Sequence, residues 1–104
     1  MSLKRDISIM EIVYTEVFEN WLKRLGDRRA RASIVSRIER IEDGNFGDHR
    51  SVGGGVSELR IHIGKGFRAY YTIRRNTVVI LLCGGDKTTQ QQDIKRAQQM
   101  ASKI

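Results

Sequence analysis

The sequence predicts an α+β fold in which an N-terminal strand and two helices precede a meander of strands and a last helix. Residues 56–83 are rich in β-branched and aromatic side chains and are interrupted by Gly and Asn, which is typical of consecutive strands. Residues 16–42 instead carry apolar side chains at helical spacing. Because helices and strands form separate runs, we expect both helices to pack on one face of a mostly antiparallel sheet.

The meander is predicted to contain three strands, at Val56–Ile63, Phe67–Ile73 and Val78–Cys83. Apolar and polar residues alternate in the first two strands, so each strand has one apolar side and one polar side. The third strand is apolar throughout, which is typical of an inner strand covered on both sides. We expect the helices to cover the apolar face of the sheet and the polar face to remain open to water.

The helix pair is predicted from its cap residues. Thr15 can cap a first helix that ends at Gly26, and Asp27 can cap a second helix that runs to about Glu42. The short link between them implies that the two helices are antiparallel. A first strand is expected over residues 7–14, and its apolar content on both sides predicts a well-covered position in the sheet.

Two further elements complete the predicted fold. Residues 49–52 form a candidate short edge strand, enclosed by a glycine-rich loop. Thr88 or Thr89 can cap a last helix that runs through Ala101. Its apolar stripe, which includes Ile94 and Ala97, is thin, so we expect this helix to dock weakly.

Length and composition indicate one globular domain over residues 1–104. The hydrophobic fraction is 39% and the charged fraction is 30%, which is typical of a folded protein. No apolar run approaches the roughly 20 residues that cross a bilayer, and no charged-then-apolar leader opens the chain. We therefore expect a cytoplasmic protein without membrane contact. The lone Cys83 lies in an apolar run and is expected to be buried, and no zinc-binding spacing predicts a metal or cofactor.

The net charge of +7 is unevenly distributed along the chain. Residues 58–104 hold nine Lys or Arg and three Asp or Glu, a net charge of +6. Positive fields of this kind attract phosphate backbones or acidic protein surfaces. Composition alone leaves both classes of partner open.

The polar face of the predicted meander carries the candidate chemistry. Arg60, His62, Arg68 and Tyr70 are expected to converge there, because they share one side of two neighbouring strands. Two guanidinium groups can bind a phosphodiester and neutralise the charge of its transition state, and Tyr70 or Tyr71 can stack on or hydrogen-bond a base. His62 or Lys87 can move protons. RNA cleavage needs no metal in this scheme because the 2′-OH is the nucleophile. The simpler interpretation is that these polar side chains are ordinary solvated residues on an exposed sheet face.

Other catalytic classes are excluded by missing motifs. The sequence has no nucleophile-elbow or phosphate-loop motif, and Glu58 is the only acid within the three predicted strands. Lys65, Arg74 and Arg75 lie at predicted hairpin turns. They are candidate RNA contacts, although charges at such turns also protect solubility.

The chain resembles the small toxins of bacterial toxin–antitoxin modules in three stretches: ELRIHIGKGFRAYYT, NTVVILLCGGDK and FENWLKRLGDRRARASIVSRIERIEDGNFGD. The resemblance spans roughly Ile12 to Met100. It is to the RelE/ParE superfamily, in its HigB-like "addiction module killer protein" branch. It implies a RelE-like fold and a ribosome-dependent endoribonuclease that cleaves mRNA through 2′-OH attack without a metal.

The resemblance also implies site residues and partners. The matching positions are Arg60 in ELR, Arg68 in FRAYY and Lys87 in GGDK, together with His62 and Tyr70. They imply that Arg68 contacts the scissile phosphate, that Arg60 positions the substrate, and that Lys87 or His62 transfers protons. The implied partners are mRNA, the ribosome and an antitoxin, usually a helix-turn-helix protein from the adjacent gene.

Two other functions remain open at this point. A ParE-like protein of the same fold would inhibit DNA gyrase and cleave no RNA. A non-catalytic module would use its basic face only to bind an acidic, antitoxin-like partner.

Overall fold

The computed structural model of the protein describes residues 9–104, so residues 7 and 8 of the predicted first strand lie outside the described residues. The predicted α+β architecture is confirmed, with an N-terminal strand, a helix pair, a mostly antiparallel sheet and a C-terminal helix. A 3₁₀ turn precedes the last helix. The elements are β1 (Glu11–Tyr14), α1 (Glu16–Arg24), α2 (Arg28–Ile41), β2 (His49–Gly53), β3 (Val56–Ile61), β4 (Phe67–Arg74), β5 (Val78–Asp86), the 3₁₀ turn (Lys87–Thr89) and α3 (Gln90–Ala101).

The five strands form one sheet in the order β1-β5-β4-β3-β2. Strand β1 runs parallel to β5, and the other neighbouring pairs are antiparallel. The predicted edge strand at residues 49–52 is confirmed as β2. The expectation that the first strand is well covered is wrong, because β1 lies at the opposite edge and Val13 is 38% exposed.

The predicted caps begin both helices of the pair. Thr15 accepts a hydrogen bond from the Phe18 amide, and Asp27 accepts bonds from the amides of Arg29 and Ala30. These bonds satisfy amides that have no partner within the helix. The pair packs on one face of the sheet, as predicted. Its buried core contains Phe18, Leu22, Ala30, Ile34, Ile38 and Ile41 from the helices and Leu59, Ile61, Phe67, Ala69, Tyr71, Val79 and Leu81 from the sheet.

The opposite face of the sheet is covered by α3, so the expectation that it faces water is wrong. Ala97 and Ala101 are buried against Val56, Tyr70 and Leu82. These alanines lie four residues apart, on one side of the helix, and their small side chains let α3 approach the strands closely. The predicted apolar stripe of this helix is confirmed. Cys83 is buried in the same cluster, and burial raises the pKa of its thiol to about 12.

Strand β5 continues three residues beyond its predicted end at Cys83. The strand continues because Gly84, Gly85 and Asp86 remain paired with Ala69, Arg68 and Phe67 of β4, and glycine fits the close cover on both faces. A Cβ atom at Gly84 would overlap the Trp21 ring, and one at Gly85 would overlap the Asp93 carboxylate. Glycine therefore extends the strand here instead of ending it.

Candidate functional site

Arg60 and Arg68 are direct cross-strand partners in the β3–β4 pair. Residues paired in this way have Cα atoms about 5 Å apart, and their side chains leave the same face of the sheet. The sequence predicted that these two side chains converge on one face of the sheet. The register pairs their backbones on that face, and each guanidinium group lies against a different carboxylate. They lie near the β3–β4 hairpin, beside the first turn of α3.

Arg60 and His62 share the carboxylate of Asp48. Arg60 donates to Oδ1 of Asp48 from Nη2 at 2.8 Å and from Nε at 3.2 Å. His62 Nε2 lies 2.5 Å from Oδ2. The hydrogen bonds from His62 and Arg60 lower the pKa of Asp48 to about 2. Asp48 therefore fixes both side chains while leaving each partly exposed.

Asp48 was not predicted as part of the site. Its position follows from the β2–β3 register, in which His49 pairs with Leu59 and the Asp48 carbonyl accepts the Arg60 amide. The only signal in the sequence is that an acidic residue stands immediately before the predicted edge strand, close to Arg60 if that strand pairs with β3.

Arg68 lies against the buried carboxylate of Glu58. Glu58 is fully buried and accepts hydrogen bonds from Arg50 Nε at 3.0 Å and from Gln90 Nε2 at 2.8 Å. The Nε atom of Arg68 lies 3.3 Å from Oε2 of Glu58, and the Arg68 side chain is 13% exposed. Glu58 thus connects β2, β4 and α3 at the site.

Tyr70 is fully buried beneath α3. Burial and the neighbouring Glu58 carboxylate raise the pKa of its hydroxyl. Among the described residues, the hydroxyl oxygen has no hydrogen-bond partner. The ring is therefore not presented to solvent, and a base could reach it only if α3 moved.

Lys65 and Lys87 lie at the same end of the sheet as the two arginines. Arg68 pairs with Gly85, two residues before Lys87. The exposed Lys87 folds over Gly66, whose Cβ atom would lie 3.0 Å from Lys87 Cε. Lys65 Nζ lies 3.4 Å from Asp86 Oδ2. The hairpin and the end of β5 therefore place both lysines at this end of the sheet.

Arg74 and Arg75 lie at the other end of β4. Arg74 donates to the Ala101 carbonyl at the end of α3 and to the Thr72 hydroxyl. Arg75 is exposed in the β4–β5 turn, with a φ of 56°. Six residues of strand, at about 3.3 Å each, separate the Cα atoms of Arg68 and Arg74 by about 20 Å. The structure does not bring these two arginines to the site.

Comparison with known proteins identifies the family. The model of the family described as phage-derived protein Gp49-like (DUF891) matches residues 20–102. The chain belongs to the Gp49-like family. A relative from Haemophilus influenzae, described as an uncharacterized protein, is 47% identical over 95 residues, which are 91% of this chain and 96% of the relative. All the candidate site residues lie within the matched region, and membership of the RelE/ParE superfamily stays a prediction.

Arg37 of this Gp49-like protein binds the backbone of the segments that carry Arg60 and Asp48. It donates from Nη1 to the Arg60 carbonyl at 2.6 Å and from Nη2 to the carbonyls of Phe46 and Asp48 at 3.0 and 3.2 Å. These bonds join α2 to β3 and to the loop that carries Asp48. Sequence reasoning missed this function, because a helical pattern cannot distinguish a solvated arginine from one that binds backbone carbonyls.

Residues 9–104 of this Gp49-like protein contain neither a metal-binding group of side chains nor a membrane-spanning helix. In that part of the chain, no group of three or more His, Cys, Asp or Glu side chains could hold a metal ion. None of its helices has the length and apolar character needed to cross a bilayer.

Proposed function

We propose that this Gp49-like protein is the toxin of a bacterial toxin–antitoxin module, of the RelE/ParE type, and that it cleaves mRNA on the ribosome. One observation carries the proposal: Arg60 faces Arg68 across β3 and β4, with His62 beside them and Lys65 and Lys87 at the same end of the sheet. This cluster of cations suits the phosphodiester backbone of RNA.

The proposed reaction is an attack of the ribose 2′-OH on the adjacent phosphorus. The new 2′-O–P bond forms as the P–O5′ bond breaks, which leaves a cyclic phosphate and a 5′-OH. Arg68 binds the scissile phosphate and Arg60 positions it, so both neutralise charge in the transition state. Of His62 and Lys87, one accepts the 2′-OH proton and the other donates a proton to the leaving oxygen.

The two carboxylates orient the arginines for this reaction. Asp48 accepts hydrogen bonds from Arg60 and lies against His62, and Glu58 forms an ion pair with Arg68, whose Nε has no hydrogen-bond partner among the described residues. An arginine fixed in this way loses less conformational entropy when it binds a phosphate. Asp48 and Glu58 are therefore proposed as positioning residues that do not touch the RNA.

A translation extract tests the proposal. The purified protein should cut translated message, and Arg68→Ala should slow cleavage by about 100-fold, as expected for the loss of one transition-state charge partner. Lys95→Ala is the matched control, because Lys95 is an exposed cation on α3 and should retain full activity. Uncut message, or growth arrest that Arg68→Ala leaves unchanged, would contradict the nuclease.

One observation favours a second candidate, the gyrase inhibitor. Arg60, His62 and Arg68 each face a carboxylate, so the surface is less positive than the sequence indicates. A ParE-like protein would block supercoiling by gyrase and leave message intact. A supercoiling assay beside the translation assay separates the two functions. A non-catalytic binding module would change neither readout and would be harmless when overexpressed.

We also infer the partner, a small helix-turn-helix antitoxin encoded in the adjacent gene, which covers the cationic surface in the cytoplasm. The net charge of +6 in residues 58–104 supports an acidic contact surface on that partner. Co-expression of the neighbouring reading frame should relieve growth arrest. Arrest that persists with that neighbour present would remove it as the antitoxin.

A further inference from the structure

A cavity opens at the same end of the sheet, on the face covered by α1 and α2. Its volume is about 420 Å³, which is within the range of small-molecule sites. Side chains from the α1–α2 turn, the β3–β4 hairpin and the end of β5 form its wall. The lining residues are Trp21, Leu25, Gly26, Asp27, Lys65, Phe67, Gly85 and Asp86.

One wall of this cleft is aromatic and rigid. Trp21 packs edge-on against Phe67, with 6.5 Å between ring centroids. The indole lies directly over Gly84, which leaves it no room to move towards the sheet. Trp21 is only partly buried. An aromatic ring held in this way offers a surface on which a nucleobase can stack.

The cleft also presents carboxylate oxygens. Asp27 uses Oδ1 to cap α2, and among the described residues its Oδ2 has no hydrogen-bond partner. Asp86 uses Oδ1 for the amide and hydroxyl of Thr88, while its Oδ2 lies 3.4 Å from Lys65 Nζ. Hydrogen bonding from Thr88 lowers the pKa of Asp86, and Lys65 lowers it further. An aromatic wall, acceptor oxygens and one cation thus meet in a single cavity.

We propose that this cleft is a nucleobase subsite that selects guanine, an inference that rests on the proposed action on RNA. The base-pairing edge of guanine carries two adjacent donors, N1–H and the exocyclic amine, beside the acceptor O6. The Oδ2 atom of Asp27 accepts from these donors while Oδ1 continues to cap α2, and the Lys65 ammonium donates to O6. Uracil has a single N–H between two carbonyl acceptors, so it would leave an acceptor facing the carboxylate.

The subsite lies at the same end of the sheet as the proposed cleavage site, but on the face covered by α1 and α2, whereas Arg68 points to the face covered by α3. Gly85 lines the cleft and is also the cross-strand partner of Arg68. Lys87, which folds over Gly66, follows the cleft residue Asp86 in the chain. In this proposal the RNA backbone passes around this end of the sheet, by Lys87, to connect a base in the cleft with the phosphate bound by Arg68.

Mononucleotide titration of the full chain tests the subsite without any cleavage. Trp21 is the only tryptophan, so its fluorescence reports on this wall alone. We expect GMP to quench it at a concentration about tenfold lower than UMP, the discrimination of one bidentate base contact. Asp27→Asn keeps a good helix cap and replaces Oδ2 by an amide donor, so it should abolish the preference for GMP. Asp43→Asn, in an exposed loop outside the cleft, is the matched control.

A second variant keeps the subsite testable if Asp27→Asn does not fold. Lys65→Gln changes an exposed hairpin residue and should weaken GMP binding but not UMP binding. Equal quenching by all four mononucleotides, or a GMP preference that survives in Asp27→Asn, overturns the subsite. A preference for GMP in a protein that leaves message uncut supports the subsite and overturns the proposed cleavage.

Discussion

At the scale of single residues, Glu58 and Asp48 determine how the cations are held. Glu58 is fully buried and shared by Arg50, Arg68 and Gln90, whereas Asp48 is partly exposed and shared by Arg60 and His62. Taking away a buried charge leaves its partners uncompensated, while an exposed charge is screened by water. The two carboxylates should therefore respond differently to mutation and to pH.

Glu58→Ala should destabilise the protein by about 3 kcal/mol, which is the lower end of the range for removing one partner of a buried ion pair. The lower end applies because Arg50 is half exposed and partly solvated. Urea denaturation followed by circular dichroism measures this loss. Asp43→Ala, which removes an acid from an exposed loop, is the control and should change stability little. A loss for Glu58→Ala as small as that of the control would show that Glu58 does not anchor the network.

The pH dependence of stability should report on Asp48. The pKa of its carboxyl falls from 3.8 to about 2 on folding, so the unfolded chain binds more protons between these values. Its stabilising contribution is therefore complete above about pH 4 and is lost as the pH falls towards 2. The urea midpoint of Asp48→Asn should lie below that of the unmutated protein near neutral pH, and the gap should close in acid. A gap that stays constant down to pH 2 would contradict this linkage.

At the scale of elements, α3 turns a two-layer arrangement into a sheet covered on both faces. Its contact depends on the small side chains of Ala97 and Ala101. Two polar bonds support the packing: Arg74 donates to the Ala101 carbonyl, and Gln98 donates to the Val52 carbonyl. The helix is therefore an integral part of the fold, contrary to the weak docking that its sequence predicted.

Ala97→Leu should lower the free energy of unfolding by about 2 kcal/mol, because Ala97 is fully buried and a larger side chain overpacks the interface. Gln99→Leu adds an apolar side chain on the exposed side of the same helix and should have a small effect. Thermal unfolding of the two variants makes the comparison. Equal melting temperatures would indicate that α3 packs loosely.

At the scale of the whole molecule, local patterns predicted the elements, whereas long-range pairing determined the site. Thr15 and Asp27 marked helix starts because capping is a local interaction. Strand alternation placed Arg60 and Arg68 on one face for the same reason. The buried Glu58 accepts a hydrogen bond from Gln90, which is 32 residues distant, so no local pattern could reveal this contact. The sequence showed the alanine stripe of α3, but alanine is only weakly apolar. The stripe therefore did not predict that α3 packs closely on the sheet.

The pairing of β1 with β5 constrains how the chain can fold during synthesis. Thr15 donates its hydroxyl hydrogen bond to the carbonyl of Leu81, which is 66 residues later. The first strand and the N-terminal end of α1 therefore leave the ribosome long before their partner strand exists. A nascent chain cut short before β5 cannot close this sheet edge, so completion of the fold must wait until most of the polypeptide has been translated.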